Sequence, residues 1–357
     1  MRALLSNRNL ATRLINAATN KTFCGQGGRV ENDVAVPTIS PDEILIKVKA
    51  VALNPTDFKH LDVVAPPNSI IGCDYAGEVD LVGENVTTKW QIGDRVAGVV
   101  HGGLFPDRGA FAEYLKTDAD LAWKIPDNIS DADAATYGIS AATVLLSLNV
   151  RHGLPWANEK TSPTDEAIFI YAGSTSAGLY HIQLAKTAGY KVVVTASPRS
   201  FDLVKSYGAD AVFDYNSPTV VSDITREFPD ITKAVDCFSE GKSTEIAEEI
   251  IKHKGGKVIT LLTNGKPSHL GVVYELVMVY TAFGRPFQWL PPVGPKFEAK
   301  PEDREALARF YALLPQLTGT LKPIPTTEIQ GGFDGILEGL NMLRSGQVSG
   351  RKLVVRL

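Results

Sequence analysis

The segment Tyr171-Ala172-Gly173-Ser174-Thr175-Ser176-Ala177-Gly178 has the composition of a phosphate loop. Small side chains there let a pyrophosphate approach the start of a following helix, where N–H groups and the helix dipole favour an anion. The hydroxyls of Ser174, Thr175 and Ser176 add donors. The spacing departs from Gly-x-Gly-x-x-Gly. Ala172 and Thr175 stand where glycine would give the backbone close access, and Gly178 alone suits helix–strand packing. An ordinary small-residue strand-to-helix turn has the same composition, so the loop by itself leaves both readings open.

The next strand end narrows the choice. A site for NAD places Asp or Glu about twenty residues beyond such a loop, to bind the ribose 2′-hydroxyl. Here the chain reads Ala196-Ser197-Pro198-Arg199-Ser200, without a carboxylate. Two hydroxyls and a guanidinium suit a 2′-phosphate, and a solvated surface arginine is the plain alternative. Loop and strand end together predict NADPH rather than NADH.

Other chemistries are excluded. Cys24, Cys73 and Cys237 are odd in number and far apart, which rules out a disulfide scaffold or a Cys-x-x-Cys zinc site and fits a reducing compartment. The six histidines form no His-Glu-x-x-His pair. There is no Gly-x-Ser-x-Gly elbow, and the loop after Tyr171 carries no Walker lysine. With 36 basic against 40 acidic residues, the net charge of −4 gives no footprint for nucleic acid or an anionic membrane. Cys73 reads as a small buried residue in a turn, with no neighbouring cation to make it a nucleophile. Tyr75 and Tyr137 are proton-donor candidates, each with a packed aromatic ring as its plain alternative.

The length of 357 residues, 44% hydrophobic and 21% charged, predicts two domains, with three as the alternative. The first third is β-rich. Glu43 to Lys49 alternates Ile44, Ile46 and Val48 with charged neighbours, and strands are expected at Tyr75 to Val82 and Arg95 to Val100. A helix is expected over Asp131 to Leu148. From Ala167 a βαβαβαβαβ run follows, with strands at 167–171, 191–196, 211–215, 234–238 and 257–262 and helices between them, predicting a parallel doubly wound sheet. Helices at Glu302 to Leu314 and Phe333 to Leu343 precede a terminal strand, Lys352 to Leu357, expected to join the N-terminal sheet. The richest apolar stretch, Gly271 to Phe283, is interrupted by Glu275 and falls short of a membrane span. Arg2, Arg8, Arg13 and Arg29, with no acid before Glu31, have transit-peptide composition; the favoured reading is a first strand, Met1 to Leu5, leading into a polar loop. A soluble, cytoplasmic protein is expected.

Several motifs carry a family resemblance. Asn54-Pro55-Thr56-Asp57-Phe58-Lys59, Gly72-Cys73-Asp74-Tyr75-Ala76-Gly77-Glu78-Val79, Gly93-Asp94-Arg95-Val96 and Ser345 to Val355 resemble successive signatures of the medium-chain dehydrogenase/reductase superfamily. Its zinc alcohol dehydrogenases carry Gly-His-Glu where this chain has Gly72-Cys73-Asp74, so no metal is expected. Gly173-Ser174-Thr175, Ser197-Pro198, Phe201-Asp202, Phe213-Asp214-Tyr215 and Gly331-Gly332-Phe333-Asp334 look most like the trans-acting enoyl reductases of fungal polyketide pathways, of the lovastatin type.

The resemblance implies an α/β fold, a GroES-like β-rich domain (1–165 and 300–357) beside a Rossmann domain (166–299). It implies NADPH contacts at Asn54, Pro55, Thr56 and Asp57, at Ser174, Thr175, Ser176 and Ala177, at Ser197, Pro198, Arg199 and Ser200, and at Tyr215, Leu262, Thr263, Val348 and Ser349. The acyl chain would lie along Gly138, Ile139, Ser140, Ala141, Ala142, Thr143, Val144 and Leu145, and near Thr281, Ala282, Phe283, Gly284 and Arg285. Its partner would be the carrier protein of a polyketide synthase. Hydride from NADPH would reach the β-carbon of an unsaturated thioester, leaving an enolate to be protonated. Lys59 is the candidate charged group, on cofactor or oxyanion, and Ser140 and Thr143 are the candidate hydroxyls; a surface lysine and a helix-start hydroxyl are the plain alternatives. The segment Val279 to Pro292 lines an apolar cleft or forms a dimer edge, and a monomer is expected. The rivals are a quinone or small-enone reductase and a non-catalytic NADPH-binding sensor or scaffold.

Overall fold

The computed structural model describes residues 1–19, 22, 27–159 and 161–357; Cys24 lies outside the described residues. Contacts divide the chain into two compact units. One comprises Met1–Ile139, Tyr280–Thr318 and Pro325–Leu357, the other Ser140–Val279 and Gly319–Ile324. Both divisions fall earlier in the chain than 165/166 and 299/300. The reason is local bonding. Arg151 pairs with Glu275 at 3.2 Å and His152 Nε2 lies 3.1 Å from the Ala234 carbonyl oxygen, tying the stretch after residue 140 to the parallel sheet. Conversely, Arg285 pairs with Asp118 at 2.7 Å, which ties the segment after residue 280 to the β-rich unit.

The β-rich unit has a seven-stranded sheet whose long central strand is Glu43–Ala52. Ile44, Ile46 and Val48 are buried in its core as the alternation predicts, but of their neighbours only Lys47 is exposed: Leu45 and Glu43 are buried as well, Glu43 paired with Arg108 at 3.0 Å. Asp74–Val82 and Tyr114–Asp118 flank this strand antiparallel, and Arg95–Val99 pairs with Asp74–Val82. The terminal strand Lys352–Arg356 pairs with Glu43–Ala52 on one side and Thr326–Ile329 on the other.

Two expectations from the sequence fail for physical reasons. The polar loop expected after the first strand is a helix, Leu10–Thr19. Its inward residues are Arg13 and Asn16, which bond to the backbone carbonyls of Asp62, Val63 and Val64, so a hydrophobic period could not reveal it. The helix expected over Asp131 to Leu148 is instead broken into Asp131–Ala134, a 3₁₀ turn, Ile139–Leu145 and a π-helical turn. The break is at Gly138, where a Cβ would stand 2.2 Å from Asp74 Oδ1; the same oxygen accepts the Ile139 N–H at 2.6 Å.

The second unit carries a six-stranded parallel sheet in spatial order Ala211–Asp214, Lys191–Ala196, Ala167–Tyr171, Lys233–Asp236, Gly256–Thr260, Val272–Leu276. The first five strands match the sequence reading to within one or two residues at the ends. The sixth, inside the apolar stretch 271–283, was not anticipated because Glu275 interrupts it. Glu275 sits at the sheet edge, paired with Arg151 and, at 2.6 Å, with Lys257. Among the described residues no helix is long and apolar enough to cross a membrane.

Candidate functional site

Strand order in the parallel sheet reverses between Ala167–Tyr171 and Lys233–Asp236, which marks the ligand crevice of a doubly wound fold. Four of the predicted cofactor segments follow the carboxyl ends of its strands. Ser174–Ala177 comes after Tyr171, Ser197–Ser200 after Ala196, Tyr215 after Asp214, and Leu262–Thr263 after Thr260. Parallel pairing therefore brings residues spread over 90 positions to one edge.

The phosphate loop is built for close approach. A Cβ on Gly173 would lie 2.1 Å from Val194 Cγ1, so only glycine lets the loop lie against the neighbouring strand. Ala172 has a φ of 58°, the left-handed region that glycine occupies without strain. Thr175 caps the helix Ser176–Thr187: its hydroxyl accepts the Gly178 N–H at 3.0 Å and donates to the Ala172 carbonyl at 2.9 Å. Its hydroxyl thus shapes the loop, and Ser174 and Ser176 remain as the half-buried hydroxyls beside it. Gly173 thus lets the loop pack against Val194, and the small side chains of Ser174, Ser176 and Ala177 leave the start of the helix accessible, the arrangement a pyrophosphate site requires.

At the next strand end Ser197 Oγ lies 3.3 Å from Ser200 Oγ, and Ser200 is buried. Arg199 is exposed and makes no ion pair among the described residues. The Tyr215 ring stands 6.1 Å from that of Tyr171. One residue at this edge was missed by sequence reasoning. Asp236 is fully buried and accepts from Phe238 N–H, Ser239 N–H, Ser243 Oγ and Thr244 Oγ1 at 3.0, 2.8, 2.6 and 2.6 Å.

In the β-rich unit, the short helix Pro55–Lys59 heads a buried polar cluster. Asp57 Oδ2 accepts the Asn54 N–H at 2.7 Å. Lys352, from the terminal strand, donates to Asn54 Oδ1 and lies 3.0 Å from Asp74 Oδ2. Thr56 Oγ1 is 2.7 Å from Tyr280 Oη and 3.2 Å from His60 Nδ1, and Cys73 Sγ is 3.6 Å from the same tyrosine oxygen. His101 stacks on Tyr280 with ring centroids 4.0 Å apart. Burial, then the neighbouring Asp74, pushes the Asp57 carboxyl up to about 7, while burial lowers the His60 imidazole to about 4. Burial also pushes the Cys73 thiol up, in keeping with an inert residue. Lys352, Tyr280 and His101 were not singled out from sequence. The available signal for Lys352 was a charged residue directly before the apolar run Leu353-Val354-Val355.

The other predicted residues are placed as follows. Lys59 is the half-buried last residue of helix Pro55–Lys59. Ser140, Ala141, Ala142, Thr143, Val144 and Leu145 are all buried in their helix, as is Gly138 before it, and Ile139 is partly exposed. Thr281 and Ala282 are buried, with Thr281 donating to Asp303 Oδ2 at 2.5 Å. Phe283 and Arg285 instead border a cavity of about 30 Å³, lined also by His101, Phe105, Arg108 and Phe287, room for a single water. Gly284 lies between them. Val348 packs against the sheet's core, and Ser349 is exposed. Tyr75 and Tyr137 are buried, Tyr137 with its ring edge-on to Trp123 at 5.5 Å. Among the described residues no group of three or more histidine, cysteine or carboxylate side chains is placed to hold a metal ion.

Comparison with known proteins adds family evidence. Residues 40–127 match the model of the alcohol dehydrogenase GroES-like domain, and residues 177–277 that of the zinc-binding dehydrogenase family. A trans-enoyl reductase of Trichoderma harzianum, thnE, is 35% identical, covering 92% of this chain and 93% of that protein. Another from Alternaria alternata, ACTTS2, is 38% identical over 93% of this chain and 96% of its own length. Among solved structures, the quinone oxidoreductase from Coxiella burnetii superposes with a TM-score of 0.72 at 21% identity, covering 100% of this chain and 99% of that one. The CurK enoyl reductase does so with a TM-score of 0.71 at 18% identity, covering 99% of each chain.

Proposed function

The chain belongs to the trans-enoyl reductases of the medium-chain dehydrogenase/reductase superfamily, and from that premise we propose that it reduces the α,β-double bond of a polyketide thioester held on a synthase carrier protein, using NADPH. The observation that carries this reading is identity of 35–38% to trans-enoyl reductases along more than nine-tenths of the chain. It is an oxidoreductase acting on carbon–carbon double bonds. The choice of NADPH is supported by Ser197, Arg199 and Ser200 at the second strand end, where no carboxylate stands.

NADPH, when bound, supplies the hydride that reaches the β-carbon. The protein's residues have the remaining tasks. The Gly173–Gly178 loop and the first turn of its helix hold the pyrophosphate, and Arg199 with the two serines holds the 2′-phosphate. Lys59 supplies a cation to the cofactor or to the enolate oxygen that develops on the thioester, and Ser140 and Thr143 supply hydroxyls along the acyl chain. Protonation at the α-carbon completes the reduction. We place the enzyme in the cytoplasm as a monomer, in line with its scattered cysteines.

The test is loss of reduced-nicotinamide absorbance with NADPH or NADH. The acceptors are an unsaturated pantetheine thioester, the same thioester on a carrier protein, and a simple quinone. Thioester turnover with NADPH, improved by the carrier, is the expected result. Turnover of the quinone alone overturns the proposal in favour of a quinone reductase, and tight NADPH binding with no turnover favours the sensor. Lys59→Ala that leaves both cofactor affinity and turnover unchanged removes Lys59 from the mechanism.

A further inference from the structure

The loop of residues 261–271, between strands Gly256–Thr260 and Val272–Leu276, buries little apolar surface. Thr263, Gly265, Lys266, Ser268 and Leu270 are exposed, so the loop has no packing of its own to fix it. Hydrogen bonds fix it instead, and they converge on two carboxylates. At its start, the Leu261 N–H donates to Ser239 Oγ at 2.8 Å, and Ser239 is itself bound to Asp236. Asn264 Nδ2 donates at 2.7 Å to Thr244 Oγ1, which donates to Asp236 Oδ2. At the far end stands Glu248, on the helix Ser243–Ile251 and only 3% exposed. Its Oε1 accepts the N–H groups of Ser268 and His269, each at 2.7 Å, with Ser268 Oγ at 3.1 Å and His269 Nδ1 at 2.9 Å. Its Oε2 accepts the Tyr274 hydroxyl.

A carboxylate with this many donors gains more from each bond than a neutral acceptor would. Removing it leaves two backbone N–H groups without a partner, and they recover one only if the loop opens to water. We propose that Glu248 is a positioning residue for the cofactor: by anchoring Ser268 and His269 it fixes the far end of a loop whose start the Asp236 network holds, and the two anchors together keep Leu262 and Thr263 at the carboxyl edge of the parallel sheet. The inference rests on reading Leu262 and Thr263 as part of the NADPH site. Glu248 touches neither cofactor nor substrate in this scheme and acts only through the loop.

The test uses the full chain with Glu248→Ala, Glu248→Gln and Tyr274→Phe. Glutamine keeps one oxygen for the Ser268 and His269 donors and offers an amide to the Tyr274 oxygen, so it retains the anchor; alanine does not. Amide exchange in the protein without cofactor is read first. Exchange at Ser268 and His269 is expected to quicken about tenfold or more in Glu248→Ala and by clearly less in Glu248→Gln, whose neutral oxygen keeps the same donors with weaker bonds. NADPH affinity, read by nicotinamide fluorescence, is expected to weaken about tenfold in Glu248→Ala and about threefold in Tyr274→Phe, with kcat at saturating NADPH within about twofold. Unchanged exchange in Glu248→Ala overturns the anchor. If that variant does not fold, NADPH affinity in Tyr274→Phe equal to wild type overturns it. Wild-type protein that fails to bind NADPH overturns the cofactor reading and the inference together, whereas wild-type binding that Glu248→Ala leaves intact overturns the inference alone.

Discussion

Lys352 and Asp74 form an ion pair at 3.0 Å with side chains only 3% and 0% exposed, joining the terminal strand to the strand that follows Gly72-Cys73. A buried charge that loses its partner is costly, because neither water nor another ion takes its place. Lys352→Met is therefore expected to destabilise the protein by about 3–5 kcal/mol in urea unfolding. Adding Asp74→Asn is expected to recover much of that loss, since the stranded charge is then gone. A single substitution that costs under 1 kcal/mol would show the pair to be solvated.

Asp57 gives a stability signature in the opposite direction to most carboxylates. Its folded pKa, raised to about 7, lies above the unfolded value near 4, so the folded protein holds a proton that the unfolded chain has released. Its contribution is complete below about pH 4 and is lost as pH rises through 7. Asp57→Asn removes this dependence. The stability of the variant relative to wild type should rise between pH 4 and 7.5, by on the order of a few kcal/mol. Parallel profiles for the two proteins would show that Asp57 is ionised when folded.

The phosphate loop separates two kinds of glycine position. Gly173→Ala drives a methyl group into Val194 and is expected to cost about 1–3 kcal/mol and to weaken NADPH binding. Ala172→Gly relieves a left-handed alanine worth about 1–2 kcal/mol but adds unfolded-state freedom, for a net gain of roughly 0–1 kcal/mol. Urea midpoints decide both; a clear loss of stability in Ala172→Gly contradicts the strain.

Arg199 sets cofactor choice if its guanidinium meets the 2′-phosphate. Arg199→Gln is expected to raise KM for NADPH about 10-fold to 100-fold and to leave that for NADH nearly unchanged. Equal effects on the two cofactors would place Arg199 elsewhere.

The parts of the fold legible in the sequence are those whose buried faces are apolar. The runs at Ala167–Tyr171 and Lys191–Ala196 and the alternation at Ile44, Ile46 and Val48 carry their own period. Helix Leu10–Thr19 does not, because it turns Arg13 and Asn16 inward, and a polar inner face looks like a loop. The edge strand Val272–Leu276 is hidden by Glu275, whose charge is balanced by Arg151 and Lys257 from distant positions. The candidate site divides the same way. The loop at Gly173 and the hydroxyls at Ser197 and Ser200 are contiguous motifs. Asp236, Glu248 and Lys352 take their meaning from partners that only the folded chain brings near. Asn54 and Lys352, for instance, stand 298 residues apart.

That separation also orders events during synthesis. The parallel-sheet unit is drawn mainly from one continuous stretch, Ser140–Val279, so all its strands have emerged from the ribosome well before the chain is finished. The β-rich unit has its central strand, Glu43–Ala52, in place early, yet that strand must wait for Lys352–Arg356 to cover its free edge and for Lys352 to neutralise Asp74. Until then the nascent chain carries an exposed strand edge and an uncompensated carboxylate, the state in which a chaperone has something to hold.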